Sequence, residues 1–494
     1  MTLYKKILLF ASILAGFSAC QDGWEEHTSL NDPALNQNIM QEINTNPRIS
    51  RFNELLVQTG FDEVLRSSKS FTVWAPTNEA LQNLDQTIVN SPDRLKQFVS
   101  NHISYQQYFT HTTLPASFQI KTLSGKNILW DKATATVDAA KIEEANKYAG
   151  NGVLHIVGAP LTPRMNSWEF LNNTTLSPRQ KAYMLSLDER VFVDSLAVQT
   201  GVDPVTGKPV YDPATGFVQQ NRFFQRAYNI ANEDSVYTFI MLTDEAYNAE
   251  FGRFRKFFAT STADSTDALT NWAVTKDLAF RGVYTKETLP ETLISRSGVQ
   301  VHIDRNAVVR EERTSNGIVL VVNSLTVANE EKIKPIRVEG ESIFDFRVLW
   351  LSHPDKVGNV SVQTRRSEVA GENYRYLRAT GHSISGLWLR YVIPNVYSTK
   401  YKVYWSVIND FNFVTRNDIR ALEPFNQRIV LGTLNATVFP YKAVAPSSVP
   451  VRQELGEYSV ARYGNLDAFL RSALSTDNTI NPLTLDYLEL VPVF

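Results

Sequence analysis

The residues best suited to metal or nucleophilic chemistry are few in this sequence. It contains seven histidines and a single cysteine, Cys20. No His-Glu-x-x-His pattern occurs, and one cysteine cannot supply the paired thiolates of a structural zinc site. His102 and His155 lie in apolar segments, where a histidine is more often a hydrogen-bonded core residue than a metal ligand. These residues therefore predict no metal centre.

One short segment approaches the pattern of a catalytic serine. Residues 381–385 read Gly-His-Ser-Ile-Ser, but Ser385 stands where a nucleophile elbow needs its second glycine. Such an elbow also joins a strand to a helix, whereas a strand pattern follows here. No glycine-rich phosphate loop occurs, and no carboxylate pair for glycoside cleavage stands out. The sequence therefore predicts a protein that binds and does not catalyse, with no catalytic residue.

Aromatic residues are frequent in the C-terminal third, and their flat faces suit both sugar rings and protein interfaces. Tyr374, Tyr376 and Tyr397 lie near turns, which makes them the candidates for ligand contact. Trp388 and Trp405 lie within strand patterns, where alternate residues point inward, and are expected in the core.

An internal repeat organises the elements that must position these residues. Residues 71–80 (FTVWAPTNEA) align without gaps with 237–246 (YTFIMLTDEA), and residues 151–157 (NGVLHIV) align with 316–322 (NGIVLVV). Both pairs keep almost the same offset along the chain. This regularity indicates two copies of one domain.

Each signature of the repeat predicts a local structure. The apolar run of the first signature is a buried strand, which Pro76 ends because proline cannot donate to a strand ladder. Thr77 or Asn78 is then expected to cap a helix that begins near Glu79. The second signature reads as an Asn-Gly turn that leads into another buried strand. Helical spacing elsewhere in the first copy predicts an α+β unit.

The two signatures resemble those of the fasciclin family, which read strand, Ala-Pro-Thr-Asn, helix, and later Asn-Gly, strand, Pro-Leu. In the first copy the resemblance includes residues 95–103 and the pair at 160–161. The second copy departs from it, since Met241 and Leu242 replace Ala-Pro and residues 272–274 lack the histidine of the first copy. The resemblance implies an α+β fasciclin fold for both copies.

The C-terminal segment has short strands separated by turn signals, which indicate an all-β sandwich. Its opening and closing strands, 336–341 and 485–490, look like those of jelly-roll carbohydrate-binding modules of the galactose-binding-like class. In such modules, acidic residues of the first and last strands can hold a structural calcium ion. Glu339, Glu341 and Asp486 are the positions that would match, with ordinary surface carboxylates as the alternative. No other cofactor is expected.

The N-terminus reads as a targeting segment. Two lysines precede a short apolar run at 7–17, and small residues lead to Cys20. This resembles a bacterial lipobox, which implies that Cys20 carries the lipid anchor, whereas a free or buried cysteine is the alternative. Residues 21–26 are acidic and resemble the export tag of surface lipoproteins in Bacteroidetes-like bacteria, although a plain tether would look similar. We therefore expect an outer-membrane lipoprotein that faces the cell exterior.

The predicted fold class is multidomain, with two α+β fasciclin-like domains followed by an all-β jelly-roll sandwich. The segments are a signal peptide (1–19), a tether (20–37), a first fasciclin-like domain (38–164), a second (165–334) and the sandwich (335–494). Two Asp-Pro turns within an insertion near 197–225 predict a surface hairpin that a partner could contact. The net charge of −2 argues against nucleic acid as a partner.

These features predict an accessory binding lipoprotein of a nutrient uptake system. It would capture a glycan or a peptide, or pack against a SusC/SusD-like TonB-dependent importer and its SusD-like lipoprotein. The alternative is a fasciclin-type adhesin that binds host matrix or neighbouring cells.

Overall fold

The computed structural model describes residues 32–111, 115–344, 351–353, 355, 359–366, 373–381, 383–410, 422–436, 439–474 and 482–494. The chain forms two compact units. The first contains the residues up to Phe170 with Ala231–Val236 and Arg313–Gly317, and the second contains Leu171–Ile230, Tyr237–Glu312 and Ile318–Phe494.

The first copy of the repeat is built on a seven-stranded sheet with the order β2-β1-β7-β6-β5-β4-β3. Its strands are β1 (Phe71–Pro76), β2 (Ile103–Ser104), β3 (Ser117–Lys121), β4 (Asn127–Asp131), β5 (Thr136–Val137), β6 (Ala140–Ala149) and β7 (Gly152–Val157). The two signatures form β1 and β7, which pair in parallel at the centre of the sheet. Both strands are buried along their whole length, as the unbroken apolar runs predict.

Helices cover one face of this sheet. They are α1 (Ile39–Thr45), α2 (Ser50–Thr59), α3 (Phe61–Leu65), α4 (Gln86–Val89) and α5 (Pro92–Ser100). Phe52, Leu56 and Phe98 from these helices pack against the buried side chains of β1. On the opposite face, Trp74 and Trp130 form a second apolar cluster. The helical spacing read from the sequence is confirmed for α2 and α5.

The helix expected near Glu79 is wrong for the first copy, because residues 78–83 form only turns there. The Asn78 side chain accepts the N–H of Arg51 and donates to the carbonyl of Pro47, which ties it to the start of α2. In the second copy the same signature does lead into a helix, whose first turn is capped by Thr243. A bond from the side chain after the threonine does not by itself prevent the helix, because the Asp244 carboxylate of the second copy also accepts an N–H, that of Arg179 at 3.2 Å.

The asparagine of each Asn-Gly signature bonds across the fold. The Asn151 side chain accepts the N–H of Ile39 at 2.7 Å and donates to the carbonyl of Leu65 at 2.8 Å. In the second copy, the Asn316 side chain accepts the N–H of Ser167 at 2.9 Å. Each asparagine thus fastens the first helix of its copy to the strand that the signature starts.

The second copy repeats this topology with the order β13-β12-β17-β16, which corresponds to β2-β1-β7-β6. Its helices are α6 (Ser167–Asn173), α7 (Pro178–Leu185), α8 (Arg222–Arg226), α9 (Asp244–Arg255), α10 (Ala263–Thr275) and α11 (Asn329–Lys332). Its sheet strands are β12 (Tyr237–Leu242), β13 (Ala279–Arg281), β16 (Val308–Thr314) and β17 (Gly317–Val322), and β14 (Thr292–Ile294) and β15 (Gln300–His302) form a separate hairpin.

The insertion of the second copy forms a surface arm of two strand pairs, β8 (Asp188–Phe192) with β11 (Phe217–Asn221) and β9 (Gln199–Val202) with β10 (Pro209–Tyr211). The Asp203 carboxylate closes the turn of the inner pair by accepting the N–H groups of Val205 and Thr206. The structure therefore has the hairpin that the Asp-Pro turns predict.

The C-terminal segment is an all-β sandwich. Its sheets are β18-β28-β22-β25, β19-β20-β27 and β21-β26-β23-β24. The strands are β18 (Ile336–Glu339), β19 (Val360–Arg366), β20 (Asn373–Ala379), β21 (Trp388–Val396), β22 (Lys400–Asn409), β23 (Phe425–Leu431), β24 (Lys442–Val444), β25 (Ser447–Ser459), β26 (Gly464–Ser472), β27 (Leu483–Leu485) and β28 (Tyr487–Val493). One apolar core joins the inner faces of the sheets. The fold class predicted from the sequence is confirmed.

Among the described helices, none is both long and apolar enough to cross a membrane.

Candidate functional site

Several features singled out in the sequence lie outside the described residues. They are the targeting segment 1–19, the predicted lipid attachment site Cys20, the acidic residues 21–26, and His382 of the near-elbow at 381–385. Within the part of the chain that the structure describes, no three acidic, histidine or cysteine side chains are grouped to hold a metal ion.

His102 is a core residue with both ring nitrogens bonded. Its Nδ1 lies 2.8 Å from the carbonyl oxygen of Phe98, and its Nε2 accepts the N–H of Leu161 at 2.9 Å. A carbonyl can only accept and an N–H can only donate, so this pair of partners fixes the neutral tautomer. Burial lowers the pKa of His102 to about 4, although the bond to Phe98 opposes this shift.

His155 has the same arrangement. Its Nε2 donates to the carbonyl of Tyr108 at 2.8 Å and its Nδ1 faces the N–H of Asn146 at 3.4 Å. Burial again lowers the pKa to about 4. The prediction that both histidines are core residues is confirmed, and the two side chains serve stability.

The tyrosines predicted to contact ligand have different environments. Tyr376 is fully buried and donates to the Asp410 carboxylate at 2.6 Å, so its ring presents no surface to solvent. Tyr374 is half-buried, and its ring stacks against Tyr376 at 6.3 Å while its hydroxyl donates to the carbonyl of Ser448. Only Tyr374 of this pair offers part of its ring for contact.

Tyr397 lies within a packed aromatic group of the second unit. Its ring contacts Phe258 at 5.6 Å and Tyr463 at 5.9 Å, and its hydroxyl donates to the carbonyl of Lys332 at 3.1 Å. The adjacent Ser398 donates its N–H to the carbonyl of Phe257. These contacts join the sandwich to α11 and to the segment after α9. The Tyr397 ring thus holds two parts of the unit together.

The three carboxylates proposed for calcium influence one another. Burial raises the pKa of Asp486, and the negative charges of Glu339 and Glu341 add to that shift. A hydrogen bond from Ser406 and the positive charge of Arg337 oppose it. Crowded acids of this kind favour either a shared proton or a cation.

Two of these acids already have basic neighbours. Arg337 pairs with Glu339 at 2.7 Å, and Arg375 lies 3.7 Å from Glu341. The Oε2 atom of Glu341 is buried and has no hydrogen-bond partner among the described residues. The three carboxylates are nevertheless not grouped to hold a metal ion in the described part of the chain, and the two arginines already lie beside two of them. Calcium at these residues stays a prediction.

The first unit contains an open pocket of about 620 Å³. Its lining residues are Phe61, Val64, Lys96, Ser104, Tyr105, Gln106, Tyr108, Lys121, Thr122, Leu123 and Gly125. Half of the Tyr105 side chain is exposed, and the Lys69 ammonium lies 5.0 Å from the centre of its ring. The described lining includes two lysines and no carboxylate. Apolar walls with a few hydrogen-bonding groups are typical of small-ligand sites.

The sequence did not reveal this pocket. Its walls come from α3, α5, the segment after β2, and the β3–β4 turn, so residues far apart in the chain become neighbours only after the sheet has formed. A helical or strand period marks which residues are buried and carries no information on which exposed residues meet.

The surface arm exposes several large apolar side chains. The exposed apolar residues of the arm are Phe192, Leu196, Val198, Val202, Val205, Val210 and Phe217. Val205 at the tip is 92% exposed and Leu196 is 61% exposed. A soluble domain rarely keeps such a group of side chains in water unless another surface covers them.

Comparison with known proteins assigns a family to one segment of the chain. A model described as "Fasciclin domain" matches residues 47–163. The transforming growth factor-beta-induced protein ig-h3 of Sus scrofa is 25% identical over 134 residues, which are 26% of this chain and 20% of that protein. The chain therefore matches about a fifth of the length of that relative.

Solved structures with a local likeness cover different shares of the chain. A fasciclin domain pair from the insect cell adhesion molecule fasciclin I covers 58% of this chain and 99% of its own, at 12% identity and a TM-score of 0.21. A family 35 carbohydrate-binding module from Clostridium thermocellum covers 32% of this chain and 99% of its own, also at 12% identity and a TM-score of 0.21. Likenesses at these scores carry no argument about function.

Proposed function

We propose that this chain, in which residues 47–163 are a fasciclin domain, is a non-catalytic lipoprotein on the outer face of the outer membrane. Cys20 would carry the lipid. The protein would serve as the accessory binding component of a SusC/SusD-like TonB-dependent importer for a glycan or a peptide. The observation that carries the proposal is the exposed apolar arm of the second unit.

The arm has two properties that suit a protein partner. Its side chains include Leu196, Val202 and Val205, which are all more than half exposed, so a partner would remove apolar surface from water. Each of its two described sheets has only two strands, so each strand keeps one free edge of backbone donors and acceptors. A barrel protein or a second lipoprotein could cover both kinds of surface.

The pocket of the fasciclin domain supports the capture of a small part of a glycan or peptide. Tyr105 offers an exposed aromatic face, and Ser104, Gln106 and Thr122 offer hydrogen-bonding groups. Lys96 forms no ion pair with any described residue and is free to meet a carboxylate of the ligand. A structural calcium ion at Glu339, Glu341 and Asp486 would belong to the sandwich and not to the pocket.

Extraction of the native lipidated protein in mild detergent, followed by mass spectrometry of what co-purifies, tests the proposed partner. We expect a TonB-dependent barrel and a second lipoprotein with the wild type, and their loss with the Leu196→Asp/Val205→Asp variant. Both side chains are exposed, so the folded state should tolerate the change. Val57→Asp/Ile294→Asp is the matched control, because Val57 and Ile294 are also exposed apolar residues and lie outside the arm.

A wild type that comes out alone would refute the importer proposal, as would identical co-purification from the arm variant. Ligand capture is tested separately by adding candidate oligosaccharides to Tyr105→Ala. Tyr148→Ala is the control, since Tyr148 is a similarly exposed tyrosine of the same domain outside the pocket.

The second candidate is a fasciclin-type adhesin, which the family match at 47–163 favours. An adhesin would bind cells or matrix without an importer, and deletion of the two fasciclin-like copies would abolish that binding. Adhesion by cells that lack every importer component would support this candidate over the first.

A further inference from the structure

The outward face of the sheet β21-β26-β23-β24 carries a row of basic and aromatic side chains. Strand register places Trp388 opposite Arg471, and Arg471 opposite Arg428. The Arg428 guanidinium then lies 4.5 Å from the centre of the Tyr441 ring. We call these four residues the arginine row. None of the four belongs to the core of the sandwich, which the alternate residues of the same strands fill.

The row contains two like charges placed directly opposite each other. Such cross-strand pairs destabilise a sheet when nothing neutralises them. No described carboxylate forms an ion pair with Arg428 or Arg471, and the Nε atoms of both are buried without a hydrogen-bond partner among the described residues.

A third arginine on the same face behaves differently. Arg390 makes a two-pronged contact with the Asp467 carboxylate, with nitrogen–oxygen distances of 2.8 Å from Nη2 to both oxygens. This face therefore neutralises one arginine internally and leaves the central pair without an acid. An anion from outside the chain would complete the pair.

We propose that the arginine row is a binding site for an acidic polysaccharide, with a sugar carboxylate or sulfate held between Arg428 and Arg471. Guanidinium groups bind such anions through paired hydrogen bonds. Trp388 and Tyr441 flank the pair and present ring surface to the neighbouring sugars, as aromatic side chains do where one face of a ligand is apolar.

The dimensions suit a chain laid across the strands. The row runs across β21, β26 and β23 to Tyr441, which directly precedes β24. Three steps of about 4.8 Å each give it a length of roughly 14 Å. That span is longer than one sugar ring and places the anion between two rings. Trp388, Arg428 and Arg471 are half-buried and Tyr441 is 38% exposed, so each of the four residues keeps part of its surface in solvent.

Affinity electrophoresis of the full mature chain through gels that contain polygalacturonate tests the site. Carboxyl-reduced polygalacturonate is the uncharged probe, and heparin is the sulfated one. We expect retardation by at least one acidic polymer, weakened by salt, and none by the reduced polymer. Arg428→Gln/Arg471→Gln should weaken binding by roughly tenfold or more, because charge-assisted hydrogen bonds are lost.

Arg452→Gln is the matched control, because Arg452 also lies over a tyrosine ring at 3.5 Å and is already paired with Glu489 at 2.7 Å. Arg428→Lys/Arg471→Lys keeps the charge and should bind with intermediate strength. Thermal unfolding of each variant checks that the sandwich remains folded.

Three results would overturn the proposal: no retardation by either acidic polymer, equal retardation by the reduced polymer, or unchanged binding by the glutamine variant. Binding to vesicles of anionic lipid without binding to either polymer would also overturn it and would assign the row to the membrane surface. The importer proposal depends on the arm and the pocket, so it survives any of these outcomes.

Discussion

Lowering the pH from 7 to 5 should destabilise the fasciclin domain because of its two buried histidines. His102 and His155 are held neutral in the fold, with pKa values of about 4 against 6.5 for a free histidine. Between these two values the unfolded chain binds protons that the folded chain excludes. The histidines therefore favour the unfolded state increasingly as the pH falls from about 6.5 towards 4.

The size of the effect follows from the shift. The pKa difference of 6.5 − 4 = 2.5 corresponds to about 3 kcal/mol per histidine when the pH is below both values. At pH 5 the loss is about 2 kcal/mol per histidine relative to pH 7, and about 4 kcal/mol for the pair. This loss is a large fraction of the roughly 5–15 kcal/mol by which a typical domain is stable.

Pulse proteolysis in urea at pH 7 and pH 5 measures the loss of stability. Mass spectrometry that follows peptides from β1 and β7 reports the unfolding of this domain separately from the rest of the chain. His102→Gln and His155→Gln should each remove about 2 kcal/mol of the pH dependence, whatever they do to stability at pH 7. His302→Gln is the control, because His302 is exposed in the second copy. A pH dependence that is the same in all four proteins would refute the reasoning.

Three further changes test other contacts. Asn151→Ala and Asn316→Ala should each lower the stability of their own copy by about 1–3 kcal/mol, because each leaves a helix N–H group unbonded. Unchanged urea midpoints would contradict a stabilising role for these two asparagine side chains. Calcium should raise the melting temperature of the sandwich in the wild type and not in Asp486→Asn. A wild-type melting temperature that neither calcium nor a chelator changes would contradict the calcium site. Lys332 and Asp277 form a buried ion pair at 3.4 Å. Lys332→Met should lower the free energy of unfolding by about 3–5 kcal/mol, because it leaves the Asp277 charge buried without a partner. Adding Asp277→Asn should restore much of that stability, and a double variant no more stable than Lys332→Met would contradict this reason.

The parts of the fold that depend on local patterns could be predicted from the sequence. The apolar runs of the two signatures gave β1, β7, β12 and β17, because a buried central strand needs an unbroken apolar stretch. Turn chemistry placed the hairpin of the arm, since Asp203 bonds to backbone only two and three residues away.

The parts of the fold that depend on contacts between residues distant in sequence could not be predicted. Asn151 reads as a turn residue, but its side chain also bonds a helix 112 residues away in the chain. Asn78 is equally tied to α2, through bonds to Arg51 and Pro47 that no local pattern indicates. Tyr376 sits close to a turn and is nevertheless buried, because its hydroxyl finds the carboxylate of Asp410.

The arginine row shows the same limit for a candidate site. Arg428 and Arg471 are 43 positions apart, and only the register of β23 with β26 makes them neighbours. A sequence shows that both are basic residues in strands, but not which rung of the ladder each occupies.

The most direct test of the proposed function is photo-crosslinking in living cells from the tip of the arm. A photoreactive amino acid would replace Val205, which is 92% exposed, and a control would carry it at Val57 in the first copy. The account predicts a crosslink from position 205, absent from position 57, to a TonB-dependent barrel or its SusD-like lipoprotein. A crosslink only to matrix or to neighbouring cells, or none above the control, would contradict the importer role.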